Sequence, residues 1–468
     1  MMPTTTCAPR GSALVIVIWT VAIASTILAG LQIVTYRQSV LGSEALSRVQ
    51  ARWAARAGLE TMLAIMEWHT ENPDPEDALA MINELDDNAR GDVETGTYDI
   101  RHFVDEVEYL GPLDEHAKAN INLLSSSELL NIPDVTPDVA GAIADWRDAD
   151  DNASMIGAEK SYYANRGVGY EPRNGNLRTF AELELVAGVW PEYTRGEDWN
   201  LNGRLDSNED DGEQTWPDDK PDFVLDGGWS SILTAASRNS PNAPSGYARL
   251  NLKEAAAEEV MERTGVTQAQ ASSLTTYART ANARLENLLT TPLSVLASGG
   301  NSQTGGGTSG GSGVSSGRTN RSSGGRSAGG TGVAQTGPGE LDAKALGKVL
   351  NECTVTPWLR SGPGKINVNT VSKRVLEDVF DMNPKLVDTL LSRRDARPTG
   401  LTSIADILEI PGMSRDVLAP LAKHLDVQSY VFTVSSLGRS KTSGTECEIV
   451  ATVDRSTLPA QIMSYREP

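Results

Sequence analysis

The pattern of apolar and polar positions changes sharply along the first seventy residues. From Ser12 to Tyr36 no side chain is charged (SALVIVIWTVAIASTILAGLQIVTY). A helix needs roughly 20 mostly apolar residues to cross a bilayer, and this run supplies them. From Arg37 to Trp68 the helix pattern continues with polar residues beside Leu46, Val49, Trp53 and Leu59. The spacing therefore predicts one helix over 12–68, ended by Asn72-Pro73-Asp74-Pro75, because proline cannot continue the hydrogen-bond ladder. A cleaved secretory signal is the competing reading, but its apolar core spans about 7–15 residues, shorter than this one. Arg10 and Arg37 flank the span on both sides, so charge bias leaves orientation open.

Downstream, the spacing predicts a short helix over 76–87 and strand or hairpin material over 97–110 (TYDIRHFVDEVEYL). Three segments then resemble one another. They are 118–147 (KANINLLSSSELL…), 249–283 (RLNLKEAAAEEVM…) and 365–394 (KINVNTVSKRVLE…). Each opens on a short apolar/Asn alternation, followed by a helix, a turn at Pro133, Gly265 or Pro384, and a second helix. Short polar side chains at the junctions can cap those helices. Residues 177–189 and 401–425 add short helices. Residues 297–339 are Gly/Ser/Thr-rich without apolar periodicity and read as a flexible linker. Strand patterns return at 430–437, 446–453 and 460–465.

The expected fold is α+β: a long N-terminal transmembrane helix packed on an antiparallel sheet, with an inserted all-helical domain of helix-hairpin-helix or SAM-like type. The expected boundaries are 1–11 leader, 12–36 membrane half of the helix, and 37–117 soluble helix and first part of the core. They continue with 118–296 inserted helical domain, 297–339 linker, 340–429 second helical segment and 430–468 C-terminal sheet.

Charge narrows the function. With 62 acidic against 41 basic residues, the formal net charge is -21. That argues against nonspecific binding to DNA or anionic lipid, although Ile410-Pro411-Gly412 fits a DNA-binding hairpin turn. Ile132-Pro133-Asp134 instead puts an acid where a phosphate would sit. Four histidines and no Cys/His cluster argue against a histidine-based metal enzyme. No nucleophile elbow, phosphate loop or HExxH motif occurs. Cys353 and Cys447 in the soluble body are compatible with one disulfide or with two free thiols.

Two acidic constellations point to cations. Numbering Asp198 as position one, Asp198, Asn200 and Asn202 fall at 1, 3 and 5, Gly203 at 6, Asp206 at 9 and Glu209 at 12. This is the spacing of an EF-hand calcium loop, in which Arg204 at position 7 contributes only its carbonyl. Pro191 and Pro217 flank it, so a structural site is expected rather than a paired sensor. The second constellation is Asp145-Trp146-Arg147-Asp148-Ala149-Asp150-Asp151 with Glu159. Asp145 and Asp148 share one helix face. Clustered carboxylates at a helix C-terminus repel one another unless a cation compensates.

These motifs together resemble the type II secretion system minor pseudopilin K family. Arg10-Gly11 before the apolar run looks like a prepilin-peptidase site, which implies processing at Gly11 and methylation of the Ser12 amine. Asp114-Glu115-His116-Ala117-Lys118-Ala119-Asn120-Ile121-Asn122 and Lys365-Ile366-Asn367-Val368-Asn369-Thr370 resemble the family's two Lys-Ile-Asn segments. Asp145-Trp146-Arg147-Asp148-Ala149-Asp150, Gly157-Ala158-Glu159 and Tyr162-Tyr163 match its acidic segment, and Phe180, Glu182, Leu183 and Val189 stand as in its following helix. Ile16 occupies the fifth mature position, where major pseudopilins carry Glu and the K member characteristically does not. The resemblance implies a non-enzymatic subunit at the pseudopilus tip, anchored by a single pass in the inner membrane before assembly, with its head in the periplasm. Its implied partners are minor pseudopilins I and J, the inner-membrane assembly platform and the prepilin peptidase, with no nucleic acid. It also implies structural Ca2+ at Asp148, Asp150, Asp151 and Glu159, beside the EF-like set Asp198, Asn200, Asn202, Arg204, Asp206 and Glu209. The alternatives are a related pilus-like machine, a membrane-anchored DNA-uptake receptor and a secreted carbohydrate-processing enzyme.

Overall fold

The computed structural model describes residues 12–154, 156–216, 219–298, 340–358 and 362–467. The leader, including Gly11, and most of the 297–339 linker lie outside the described residues. Helix α1 runs Ser12–Glu71, three residues past the predicted end. Its apolar half has mean hydropathy 2.4 over an 18-residue window and is not buried by any other described residues, so length and composition suit it to a membrane. Helix α2, Ala80–Asp87, follows the proline turn.

The sheet is antiparallel and built from both ends of the chain. Strands β1 (Arg90–Asp92), β2 (Gly96–Val104), β3 (Val107–Leu110) and β4 (Leu113–Asp114) precede the helical insert. Strands β5 (Val431–Ser440), β6 (Glu446–Asp454) and β7 (Gln461–Arg466) follow it. The order is β1-β2-β5-β6-β7, with β3 on β2 and β4 on β5. Alternation along the strands assigns the two faces. Phe432 and Val434 of β5 and Ile449, Ala451 and Val453 of β6 pack on Ala55, Leu59, Met62 and Met66 of α1. Thr433 and Ser435 of β5 and Glu448 and Thr452 of β6 turn to the opposite face, which is the more polar of the two although Val431 and Val450 also lie on it.

The soluble half of α1 lies close against β5. A Cβ built at Gly438 would sit 2.0 Å from the Ala51 carbonyl oxygen and 2.4 Å from the Ala55 amide nitrogen. Only a residue without a side chain lets helix and strand backbones approach this closely.

Between β4 and β5 the helical part forms one contiguous apolar cluster, from Ala119 to Val427. The three similar segments are three copies of one device. Each opening alternation is a two-residue strand in a parallel ladder: Ala119–Asn120 beside Leu233–Thr234, Leu250–Asn251 beside Cys353–Thr354, and Ile366–Asn367 beside Leu425–Asp426. In the first and third copies a second Asn clamps a distant leucine backbone from both sides. Asn122 donates to the Leu177 carbonyl (3.0 Å) and accepts from its amide (2.8 Å). Asn369 does the same to Leu401, at 2.9 and 2.7 Å. The short 3-10 helices Phe180–Leu185 and Ile404–Glu409 follow those leucines. The Asn alternations therefore position whole segments, beyond capping single helices. The first helix of the first copy is shorter than the pattern suggests, confined to Ser126–Leu129 and opened by a capping box between Ser125 and Glu128.

Residues on both sides of the Gly/Ser stretch belong to the same cluster, among them Leu288, Leu289, Leu293, Leu346 and Val349. Glu340 accepts hydrogen bonds from the Leu293 and Ser294 amides, both at 2.9 Å, tying the two ends together. Cys353 is buried, Cys447 half-buried, and both are free thiols.

Two outcomes are expected. Gly438→Val should overpack the contact of α1 with β5 and cost about 1–3 kcal/mol or more, read as a lower denaturant midpoint of the head. Replacing 299–339 by a short Gly/Ser connector should leave the thermal midpoint within a few degrees, because the ends are already joined and loop closure costs only about 0.6 kcal/mol per doubling of length.

Candidate metal-binding loops and their junction with the sheet

The C-terminus of helix Pro137–Arg147 delivers the first acidic group. Arg147 ends that helix by donating to the Ile121 carbonyl, and to the Leu124 carbonyl at 2.8 Å. This bonding fixes the turn in which Asp145 and Asp148 stand. The chain then loops back, and Glu159 precedes helix Lys160–Arg166. Carboxylate oxygens of Asp145, Asp148 and Glu159 all lie within 4.8 Å of one another. Asp145 and Glu159 are each 1 % exposed, whereas Asp148 faces solvent. Asp145 accepts from the Ser154 amide (3.2 Å), but neither oxygen of Glu159 has a hydrogen-bond partner among the described residues. A buried carboxylate without a donor costs several kcal/mol unless it is neutralised or bound to a cation. Burial first, then the charges of Asp145 and Asp148, pushes the Glu159 carboxyl above its usual range. Gly157 is required beside it, because a Cβ there would lie 2.0 Å from Asp145 Oδ2.

The group of three differs from the set expected from sequence. Asp145 joins Asp148 and Glu159, while Asp150 and Asp151 stand outside. Asp150 accepts from the Asn152 amide and side chain, and Asp151 accepts from Asn174. The signal for Asp145 was its three-residue spacing from Asp148 on one helix face. Its burial was not legible, since that depends on the returning loop.

The 198–209 loop is also wound inward, with Asp198 4 %, Asn202 1 % and Glu209 0 % exposed. Asp198 accepts from the amides of Asn202 and Gly203, both at 3.0 Å. Asn200 accepts from the Asn202 amide, and Asn202 from the Arg204 amide. Glu209 folds back over the loop to accept from the Trp199 and Asp206 amides, at 3.0 and 3.2 Å. Asp206 accepts from the side-chain amides of Asn200 and Asn202. Burial raises the Asp198 carboxyl to about 6, and burial together with the Asp198 charge raises that of Glu209 to about 8. The loop thus gathers acids that can ionise together only beside a compensating positive charge.

This loop abuts the polar face of the sheet. Asn202 Nδ2 donates to Glu448 Oε1 of β6 (2.9 Å), the Phe103 amide of β2 donates to the Gly203 carbonyl (2.8 Å), and Arg466 of β7 donates to the Leu201 carbonyl (2.6 Å).

A further buried polar corner ties sheet to insert. Asp114, at the end of β4, accepts from the Thr370 and Ser429 hydroxyls and from the His116 amide. Glu115 accepts from the hydroxyls of Thr234 and Thr433. His116 Nδ1 bonds the Lys365 carbonyl at 2.7 Å. In the sequence this triplet stood out only as part of a family-like segment, because its partners lie more than a hundred residues away.

These features describe an α+β chain with one apolar helix suited to a membrane and a helical insert stapled to the sheet by polar and acidic side chains. Two models described as type II secretion system (T2SS), protein K, match residues 111–195 and 366–428. Their matches take in the buried corner, the three-carboxylate group and both Asn clamps. Over these two stretches the chain is similar to the type II secretion system protein K family. No curated protein matches the chain significantly. Among solved structures it is similar to one described as the crystal structure of the GspK-GspI-GspJ complex from enterotoxigenic Escherichia coli Type 2 Secretion System. That similarity has 12% identity and TM-score 0.42, covering 92% of this chain and 99% of that one.

Two outcomes are expected from these groups. In cation-free buffer, Glu159→Gln should leave stability unchanged or raise it, because it removes a charge with no donor. In the same buffer the unaltered protein should lose stability as pH rises from about 4.5 to about 8. Over that interval the native state keeps a proton on Glu209 that the unfolded chain has lost, so deprotonation favours unfolding. Thermal denaturation at stepped pH reads both.

Proposed function

We propose that the chain is a minor pseudopilin that works without catalysis, as an assembly component at the tip of the type II secretion pseudopilus. The observation that carries this reading is the single continuous helix α1. Its first half is apolar and uncovered, while its second half is the spine of the head. A helix of that kind can lie in the inner membrane before assembly and among neighbouring helices afterwards, with the head in the periplasm. Ile16 replaces the glutamate that would neutralise a neighbour's free amine, and a head bearing a large helical insert suits an end position better than the middle of a tight array. Cleavage after Gly11 and methylation of Ser12 belong to the same reading. The partners are the smaller minor pseudopilins I and J, with the assembly platform and prepilin peptidase acting earlier. The helical segments are read as helix-hairpin-helix, SAM-like units serving as a protein scaffold, since the net charge of -21 disfavours phosphate backbones.

Both acidic loops are read as structural Ca2+ sites. Ca2+ takes six to eight oxygens at about 2.3–2.6 Å. Asp145, Asp148 and Glu159, with solvent or the nearby Asp150 and Asp151, would hold one ion. Asp198, Asn200, Asn202, the Arg204 carbonyl, Asp206 and Glu209 would hold the other, with some rearrangement of the side-chain amide bonds. A cation in either loop neutralises buried acids. In the second it also stiffens a connection to the sheet.

The assembly reading is tested by co-producing the full chain with the I and J chains of the same secretion system. A detergent-stable complex containing all three is expected, and failure to recover it would refute the reading. Calcium is tested by calorimetric titration of chelator-stripped protein. Two binding events are expected, with Gly157→Ala removing one and Glu209→Ala the other. Calcium at 100 times Kd should stabilise the fold by about 2.7 kcal/mol per site, and a folded, stripped protein that takes up no Ca2+ would refute this part.

A further inference from the structure

The two ends of the sheet differ. At one end β1 has three residues, two of them the charged Arg90 and Asp92. Short, charged edges of this kind resist pairing with another chain. At the other end β7 has six residues, all exposed, with Ile462, Met463 and Tyr465 at 45 %, 40 % and 41 % exposure. It carries one charge, Arg466, and no proline. Among the described residues it is the terminal strand of the sheet, paired through its inner side with β6.

Strand β7 also adjoins an uncovered face of α1. Arg52 of α1 donates to Glu467 from two nitrogens, at 2.8 and 3.0 Å, and the Tyr465 hydroxyl donates to the same carboxylate at 2.7 Å. Beside Arg52 on the helix stand Val49 and Trp53, 50 % and 59 % exposed, with Leu46 one turn earlier at 59 %. These positions carry the apolar character of the membrane half into the head and end next to the open strand. A subunit packing its own helix along α1 therefore brings its head to the β7 edge.

We propose that the β7 edge, residues 462–466, receives an extended strand from the head of a neighbouring pseudopilin subunit, while Val49 and Trp53 of α1 pack on the same neighbour. Backbone hydrogen bonds supply affinity in strand addition, and side chains at alternate positions supply specificity. The occupant is a subunit with a helix of its own, because the apolar stripe and the strand edge run together on one side of the molecule. This inference rests on the assembly reading.

Hydrogen exchange on the full chain, alone and in the complex with the I and J chains, tests it. Amides within 462–466 should exchange at least about tenfold more slowly in the complex, equivalent to about 1.4 kcal/mol. The pair Ile462→Lys and Met463→Lys should weaken the complex by a similar factor without moving the thermal midpoint of the free protein, since both side chains are exposed. A complex that forms with exchange at 462–466 unchanged overturns the inference and leaves the assembly reading intact. No complex at all overturns both. Slowing of exchange in the chain alone as its concentration rises overturns the choice of occupant in favour of a second copy.

Discussion

The structure depends on a pair of buried carboxylates at one corner. Asp114 and Glu115 are consecutive, each 7 % exposed, and sit where the first half of the sheet gives way to the helical insert. Asp114 reaches forward to Thr370 and Ser429, in the third copy of the ladder device and just before β5. Glu115 reaches to Thr234, in the first ladder, and to Thr433 on β5. Two adjacent acids thus bring together four regions that are remote in sequence. Burial holds the Asp114 carboxyl above its ordinary range, so its desolvation is a real cost that the hydroxyl donors offset. Such an arrangement specifies a unique geometry, because any other leaves a buried carboxylate without a donor.

The same economy recurs through the insert. Its ladders have two residues per strand, too few hydrogen bonds to hold a fold by themselves. Asparagines supply the missing specificity by bonding backbone on both sides of a distant segment, as Asn122 does to Leu177 and Asn369 to Leu401. Apolar burial then supplies the bulk of the stabilisation, in one cluster that crosses all three copies. The acidic loops sit where this cluster meets solvent and, for 198–209, the polar face of the sheet. A cation there would have a mechanical consequence: it would stiffen the joint between insert and sheet rather than take part in chemistry.

Much of the architecture was legible because it rests on local periodicity. The charge-free run and the alanine-rich continuation marked α1 to within three residues of its end, and period-two patterns marked β2, β5, β6 and β7. The composition of 297–339 predicted a linker, but not that the residues flanking it are joined through Glu340. The acidic constellations were visible as spacing, and for 198–209 the structure buries Asp198, Asn202 and Glu209 in one loop.

What the sequence by itself determined is which segments become helix, strand or connection, since those preferences arise from neighbours within a few residues. The tertiary structure decided which of five nearby acids gather. Asp145 turns inward because its helix packs against the core, while Asp150 and Asp151 accept from Asn152 and Asn174. It also decided that Gly438 admits the backbone of α1, and that Thr234, Thr370, Ser429 and Thr433 converge on Asp114 and Glu115. Convergence of this kind depends on contacts across hundreds of residues, and neither spacing nor composition encodes it until the chain has closed on itself.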